Sequence, residues 1–301
     1  DKNNNERKRP GKKPLIILDD YGRGAHICNQ CGAGDGLDLI KKVNHCDTTE
    51  AARMVADVLG IDYRATQTDK GTATERRNLL EAERRQREQE RQQQAAEDAE
   101  HRRLAFSRRY AAMRQNVTQG ESEYLKSKGL NGFTYPLLSD GAILLPLVDK
   151  SGVVTAAQTI TPDGEKRLVV DSAKRCAFHS INATEQPQEV IIAEGLATTL
   201  SVHLMCPDAL AVCAIDAGNL LPVAIQMRQQ HPQAQIIIAA DNDWLDDKPN
   251  TGTERAEKAA SAVDGYVSVP PTDYKADWND YHQQNGLEVA TAAFNNSMYQ
   301  P

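Results

Sequence analysis

Between residues 190 and 243 the chain alternates short apolar runs with helical patterns. Val190-Ile191-Ile192-Ala193 ends in Glu194-Gly195. A second run covers 209–213. A third, Ile236-Ile237-Ile238-Ala239-Ala240, ends in Asp241-Asn242-Asp243. Runs this short, rich in β-branched residues and without polar alternation, predict strands buried on both faces. The segments between them, 196–205 and 220–231, carry apolar residues at helical spacing. Strand–helix–strand–helix–strand is the pattern of an open α/β sheet with parallel strands. Thr251-Gly252-Thr253-Glu254 has the form of a capping box and predicts a further helix to Val263. A strand at 266–269 and a terminal helix at 287–294 follow.

Upstream the period changes. Residues 142–147 and 153–160 alternate around Asp149-Lys150-Ser151-Gly152, a hairpin pattern. A turn at 163–167 leads to a strand at 168–170, and a short helix over 122–130 precedes them. Residues 74–113 are rich in Glu, Arg, Gln and Ala, with neither Gly nor Pro. No apolar heptad is sustained there, so the segment predicts a solvent-exposed helical spacer stabilised by i,i+4 pairs rather than a coiled coil. Nearer the start, 15–18 and 25–27 predict two strands around a turn at 19–24, after a loose basic arm at 1–14. Two short amphipathic helices follow, the second with Thr48 or Thr49 as N-cap and Gly60 as C-cap. The expected organisation is a small module at 1–65, a charged helical linker at 66–116, a β-rich lead-in at 117–186 and the parallel α/β unit at 187–301.

Net charge is −7, which alone argues against a polyanionic partner, but its distribution is uneven. Residues 1–15 hold six Lys/Arg against two acids; residues 240–300 hold eleven acids against four bases. A basic arm and an acidic half suit a protein that touches a polyanion at one place and holds cations at another. No apolar run approaches the roughly 18 residues of a membrane span. Cys206 and Cys213 lie in apolar context and read as core thiols, as expected in a reducing, cytoplasmic setting.

In open α/β sheets the chemistry lies beyond the carboxyl ends of the strands. Here that edge carries Glu194, Asp241 and Asp243. In an extended segment Asp241 and Asp243 point to one side. Three converging carboxylates repel one another unless a cation sits between them, and an all-oxygen set favours a hard ion, Mg²⁺ or Mn²⁺. Asp277 and Asp280 are further candidates for the same edge, with Asp246 and Asp247 weaker ones. Lys166, Arg167, Lys174 and Arg175 form a candidate phosphate-binding patch for nucleotide or DNA. Cys28-Asn29-Gln30-Cys31-Gly32 after a hairpin is half of a zinc ribbon, since thiolates so spaced on a tight turn can reach one tetrahedral ion. Two further ligands are needed. His45 and Cys46 fall inside a predicted helix, so the first ligand pair is expected upstream of Asp1.

Acids at single strand ends are common. The ordered set of strand–Glu-Gly, βα repeats, strand–Asp-x-Asp, capped helix, strand and final acidic cluster is more specific. It is similar to the Toprim domain of primases, topoisomerases and certain nucleases. Cys28 to Gly36, Tyr124 to Leu130, Asp163 to Arg167, Glu194 to Leu200, Ala240 to Asp243 and Asp277 to Asp280 occur in that order. Together they resemble the alpha-type primases of satellite phages, plasmids and other mobile elements. The resemblance implies a Toprim catalytic domain, a truncated zinc ribbon that engages template, and Glu194, Asp241 and Asp243 binding divalent metal for RNA primer synthesis on single-stranded DNA. It also implies nucleoside triphosphates as substrates, a replicative helicase as partner and the cytoplasm of a bacterial host as location. No Gly-x4-Gly-Lys-Ser/Thr occurs, so a helicase domain is not expected within this chain. The rivals are another Toprim enzyme, a nuclease or topoisomerase, and a non-catalytic DNA-binding replication accessory.

Overall fold

The computed structural model describes residues 15–18, 24–28, 32–61, 70–182, 184–244 and 250–301. The basic arm, most of the turn at 19–24, Cys31 and the acids Asp246 and Asp247 lie outside the described residues. The chain divides into two compact units, Asp1–Glu90 and Arg91–Pro301.

In the first unit β1 (Leu15–Leu18), β2 (Ala25–Cys28) and β3 (Gly32–Gly34) form an antiparallel sheet in that order. Helices α1 (Gly36–Asn44) and α2 (Thr48–Leu59) follow. The α2 N-cap is Asp47, whose side chain accepts from the Glu50 amide at 2.8 Å, in place of the expected Thr48 or Thr49. A carboxylate also suits the positive end of the helix dipole better than a hydroxyl. Gly60 closes α2 in the left-handed conformation. Helix α1 ends before His45, which adopts φ 53°, so His45 and Cys46 lie in a connection and not in a helix as expected.

Helix α3 runs Lys70–Arg114 and crosses the division between the units. Its polar length carries the anticipated pairs, such as Arg77–Glu81 at 3.3 Å and Arg87–Glu83 at 3.7 Å. Such exposed pairs contribute only a few tenths of a kcal/mol each. The last turns differ from a bare spacer. Phe106 is buried against Leu144, Ala157 and Val169, with Tyr110 and Met113 beside it.

The second unit contains two sheets. Strands β4 (Thr118–Glu121), β5 (Thr134–Leu137), β6 (Ile143–Val148), β7 (Val154–Ile160) and β8 (Lys166–Leu168) form an antiparallel meander, with α4 (Glu123–Ser127) between the first two. β8 starts two residues before the expected strand. Thr161, bonded to Gly164 and Glu165, closes the turn early and pairs Lys166 with Ile160.

The other sheet uses β9 (His179–Ile181), β10 (Glu189–Ala193), β11 (Leu210–Cys213), β12 (Gln235–Ala239), β13 (Tyr266–Ser268) and β14 (Met298–Tyr299). Its order is β14-β13-β12-β10-β11-β9, with the four inner strands parallel and both edges antiparallel. The chain leaves β10 for β11 on one side and returns to β12 on the other. The strand order therefore reverses at β10, the place where such sheets open a crevice at their carboxyl ends.

The sheet is covered on both faces, which is why its strands read as continuous apolar runs. Val190, Ile192, Ile236 and Ile238 face α6 (Ala217–Gln230) and α7 (Thr251–Ser261). Ile191 and Ile237 face the opposite layer of α5 (Leu196–Met205), α8 (Trp278–Asn285) and α9 (Leu287–Asn296). Each fully buried isoleucine contributes roughly 2 kcal/mol of transfer free energy. Helix α8 was not expected. Only its Trp278 and Asn279 are buried, so its sequence shows little apolar period. The α7 N-cap is Asn250, which accepts from the Thr253 amide, and Thr251 is already helical.

His179 ties the two sheets together. Its Nδ1 lies 3.2 Å from the Pro146 carbonyl, and its Nε2 3.5 Å from the Tyr135 hydroxyl. Burial pushes its pKa down to about 4, partly opposed by the hydrogen bond to Pro146. The imidazole is neutral when folded but protonates below about pH 6.5 when unfolded. Stability is therefore lost as pH falls from about 6.5 towards 4, by on the order of 3 kcal/mol. Thermal melts across this range should show a shallower acid slope for His179→Gln than for the parent; equal slopes would contradict this account of His179.

Candidate active site

Glu194 follows β10 and Asp241 follows β12, neighbouring parallel strands paired in register through Ala193 and Ala239. Asp243 stands two residues on. The intervening Asn242 fixes where both aspartates point. It is buried, exchanges backbone hydrogen bonds with Ala276 at 2.9 and 3.0 Å, and donates from its amide to Thr272. Its Oδ1 accepts from Asn250 at 2.7 Å. With Asn242 anchored inward, its two acidic neighbours are directed to the crevice side.

Gly252, in the first turn of α7, comes very close to this strand end. A Cβ there would lie 2.5 Å from the Asp241 carbonyl oxygen and 3.0 Å from Asp243 Oδ2. Thr251 donates its hydroxyl to Asp243 Oδ2 at 3.3 Å, and Lys275 Nζ lies 2.7 Å from Asp243 Oδ1.

Each of these acids feels the charge of the others. Burial raises the pKa of Asp241 to about 8, with added contributions from the charges of Glu194, Asp277 and Asp243; Lys166 opposes them. Glu194 is also raised, first by burial and then by Asp243, with Arg255 and Lys166 pulling the other way. Asp241 Oδ1 is buried with no hydrogen-bond partner. A buried, unpartnered carboxylate oxygen among other acids is costly unless a cation or a proton satisfies it.

Among the described residues no three His, Cys, Asp or Glu side chains are grouped so as to hold a metal ion as they stand. The acids whose charges act on one another at this edge, Glu194, Asp241 and Asp243, are carboxylates, a donor type that suits a hard divalent cation. With Asp241 Oδ1 unsatisfied, the edge fits such an ion.

The remaining candidates separate. Asp277 is the one whose charge reaches Asp241. It caps α8, accepting from the Asp280 amide at 2.8 Å. Asp280, expected as a metal ligand, instead accepts from the Asp277 amide at 3.3 Å and pairs with Lys128 at 3.3 Å.

Lys166 lies against Gly195, with its Nζ 3.3 Å from where a Cβ would stand, and acts on both Glu194 and Asp241. Arg167, next along β8, pairs with Glu165 at 2.7 Å. Lys174 pairs with Asp216 at 2.5 Å, and Arg175 is exposed in a turn. Of the expected phosphate patch, Lys166 is the residue whose charge acts on both Glu194 and Asp241, while Lys174 is tied to Asp216, whose charge in turn acts on Glu194.

A pocket of about 320 Å³ opens beside Lys166, bounded by Tyr124, Lys128, Gly164, Thr198 and Asp277. Gly195 caps α5 without a side-chain bond, and the first turn holds no acid. The positive end of that helix therefore borders the pocket.

Sequence reasoning did not single out Lys275, Arg255 or Lys128 for this site. Lys275 was within reach as the residue two before Asp277, but its pairing depends on the bridge between Asn242 and Ala276. Cys28 ends β2, and the zinc half-site falls largely on residues outside those described.

Residues 189–288 match the family model of the Toprim domain. Two curated relatives, both DNA primase TraC of Escherichia coli, are homologous to the chain. One is 30% identical over 249 residues, 79% of this chain, and the other 31% over 185 residues, 58% of this chain. The matches cover 17% of each relative, so the chain spans about a sixth of their length. Among solved structures, the primase fragment of the bacteriophage T7 primase-helicase protein is 16% identical, with a TM-score of 0.40 over 57% of this chain and 70% of that one. The Aquifex aeolicus primase (zinc binding and RNA polymerase domains) is 13% identical, with a TM-score of 0.39 over 97% of this chain and 81% of that one.

Proposed function

We propose that this chain, whose residues 189–288 are a Toprim domain, is the catalytic part of a DNA primase that joins nucleoside triphosphates on a single-stranded DNA template. The observation that carries the reading is the buried, unpartnered Asp241 oxygen beside Glu194 and Asp243, in a chain homologous to DNA primase TraC.

Glu194, Asp241 and Asp243 would hold Mg²⁺ or Mn²⁺. When bound, such an ion supplies Lewis-acid stabilisation of charge on transferring phosphate oxygens. Asp241 must give up its proton for this, and the approach of positive charge favours that loss. Lys166, Lys128 and the amino end of α5 would receive the phosphates of the nucleotide in the neighbouring pocket. Arg167, Lys174 and Arg175 remain candidates for template contacts further out. Zinc at Cys28 and Cys31 and a helicase partner belong to the same proposal.

The test is synthesis of short RNA from nucleoside triphosphates on single-stranded DNA with Mg²⁺ or Mn²⁺. The double variant Asp241→Ala, Asp243→Ala should lose roughly a thousandfold in rate, corresponding to several kcal/mol of lost stabilisation. Full activity of that variant would sink the assignment. DNA cleavage without added nucleotides would favour a nuclease or topoisomerase. Metal-independent DNA binding without turnover would favour an accessory role.

A further inference from the structure

Lys275 stands out among the cations near the acid edge. Lys166 and Arg255 act on Glu194 without a hydrogen bond to an acid of the edge, whereas Lys275 grips Asp243 directly, Nζ to Oδ1 at 2.7 Å. The other oxygen of Asp243 accepts from Thr251 at 3.3 Å. Both oxygens of one acid are thus engaged while the neighbouring Asp241 oxygen has no partner.

Lys275 is also within the field of the whole edge. Its proton is held more tightly by the hydrogen bond to Asp243, and further by the charges of Asp241 and Glu194. Its side chain is 68% exposed, so little packing restrains the ammonium from swinging away. It resides in the stretch anchored by the backbone bonds between Asn242 and Ala276, which places residue 275 beside residue 243 whether or not the side chains touch.

We propose that Lys275 is a built-in counter-ion of the acid edge, which competes with a divalent cation for Asp243 and is released when the cation binds. The inference rests on the cation reading given above. It assigns a role to a lysine that forms no part of the ligand set. In the metal-free protein an exposed ammonium partly offsets the repulsion among the acids. A doubly charged ion offsets it better, and the freed ammonium is then available to a phosphate oxygen at the same edge. The competition raises the ion concentration needed to fill the site.

The experiment measures Mn²⁺ binding to the whole chain, without nucleotide or DNA, from the electron paramagnetic resonance signal of free Mn²⁺. Lys275→Met should bind Mn²⁺ about threefold to tenfold more tightly than the parent, and Lys275→Arg should stay within about twofold of it. Equal or weaker binding by Lys275→Met would overturn the proposal and make Lys275 a clamp that orients Asp243. Asp243→Asn separates the two levels. If the parent binds Mn²⁺ and Asp243→Asn does not, the cation reading stands and the Lys275 comparison decides alone. If Asp243→Asn binds as well as the parent, or the parent does not bind, the cation reading fails and the role of Lys275 falls with it.

Discussion

Asp241→Asn is expected to make the metal-free protein more stable at about pH 8.5 while removing its cation-dependent activity. Folding buries the Asp241 carboxyl beside Glu194, Asp277 and Asp243 and raises its pKa from 3.8 to about 8. Between these values the folded chain holds a proton that the unfolded chain has released. Stability therefore falls as pH rises from about 4 to about 8, by at most about 1.4 kcal/mol per pH unit, and levels off above. Asparagine has the shape of the protonated acid and no charge to bury. The variant and the parent should melt together near pH 3, below both pKa values, and separate progressively above it, by several kcal/mol near pH 8.5, on the order set by that shift. Melting curves in EDTA at a series of pH values measure the gap. A gap that does not widen with pH would show that Asp241 is not held among acids. Added Mg²⁺ should raise the melting temperature of the parent and leave the variant unchanged, since only the parent can trade the proton for a cation.

Gly252→Ala is expected to be damaging where helix propensity alone says the reverse. In the first turn of a helix alanine is favoured over glycine, by up to about 1 kcal/mol. At Gly252, however, the added methyl would lie 2.5 Å from the backbone oxygen of Asp241 and 3.0 Å from Asp243 Oδ2. The first of these neighbours is backbone and cannot rotate away. Helix α7 must then slide, or the end of β12 must shift, and overpacking of this kind costs about 1–3 kcal/mol. Either movement displaces both aspartates, so activity should drop by roughly a hundredfold from sub-ångström misplacement at the reacting centre. Denaturant titration and the primer assay together check this. Raised stability with unchanged activity would mean that the strand end and the helix are not in contact as described.

The two effects share a cause that the sequence shows only in part. β10, β11 and β12 were legible to within a residue because strands buried on both faces carry no polar interruptions. Glu194, Asp241 and Asp243 were legible because they end those runs. What lay hidden depends on contacts between distant segments. Nothing in Lys275-Ala276-Asp277 announces that Ala276 bridges Asn242 and so sets Lys275 on Asp243.

Asp280, not Asp277, was the expected metal ligand, and α8 gives the two different duties. The helix itself is mostly polar beyond Trp278, and its sequence lacks the period that would have revealed it. The edge strands β9 and β14, three and two residues long, are too short to carry an alternation. Arg167 and Lys166 are adjacent in sequence, yet Arg167 pairs outward with Glu165 while Lys166 meets Gly195, as successive strand residues point to opposite faces.

The claim on which the rest depends is that the carboxyl ends of β10 and β12 hold a divalent cation. Its most direct test is anomalous diffraction from crystals of the protein soaked in Mn²⁺. The account predicts a peak within coordination distance of Glu194, Asp241 and Asp243, with the Lys275 ammonium moved off Asp243. A Mn²⁺ peak elsewhere, or none at this edge while Lys275 remains on Asp243 at saturating Mn²⁺, would contradict it.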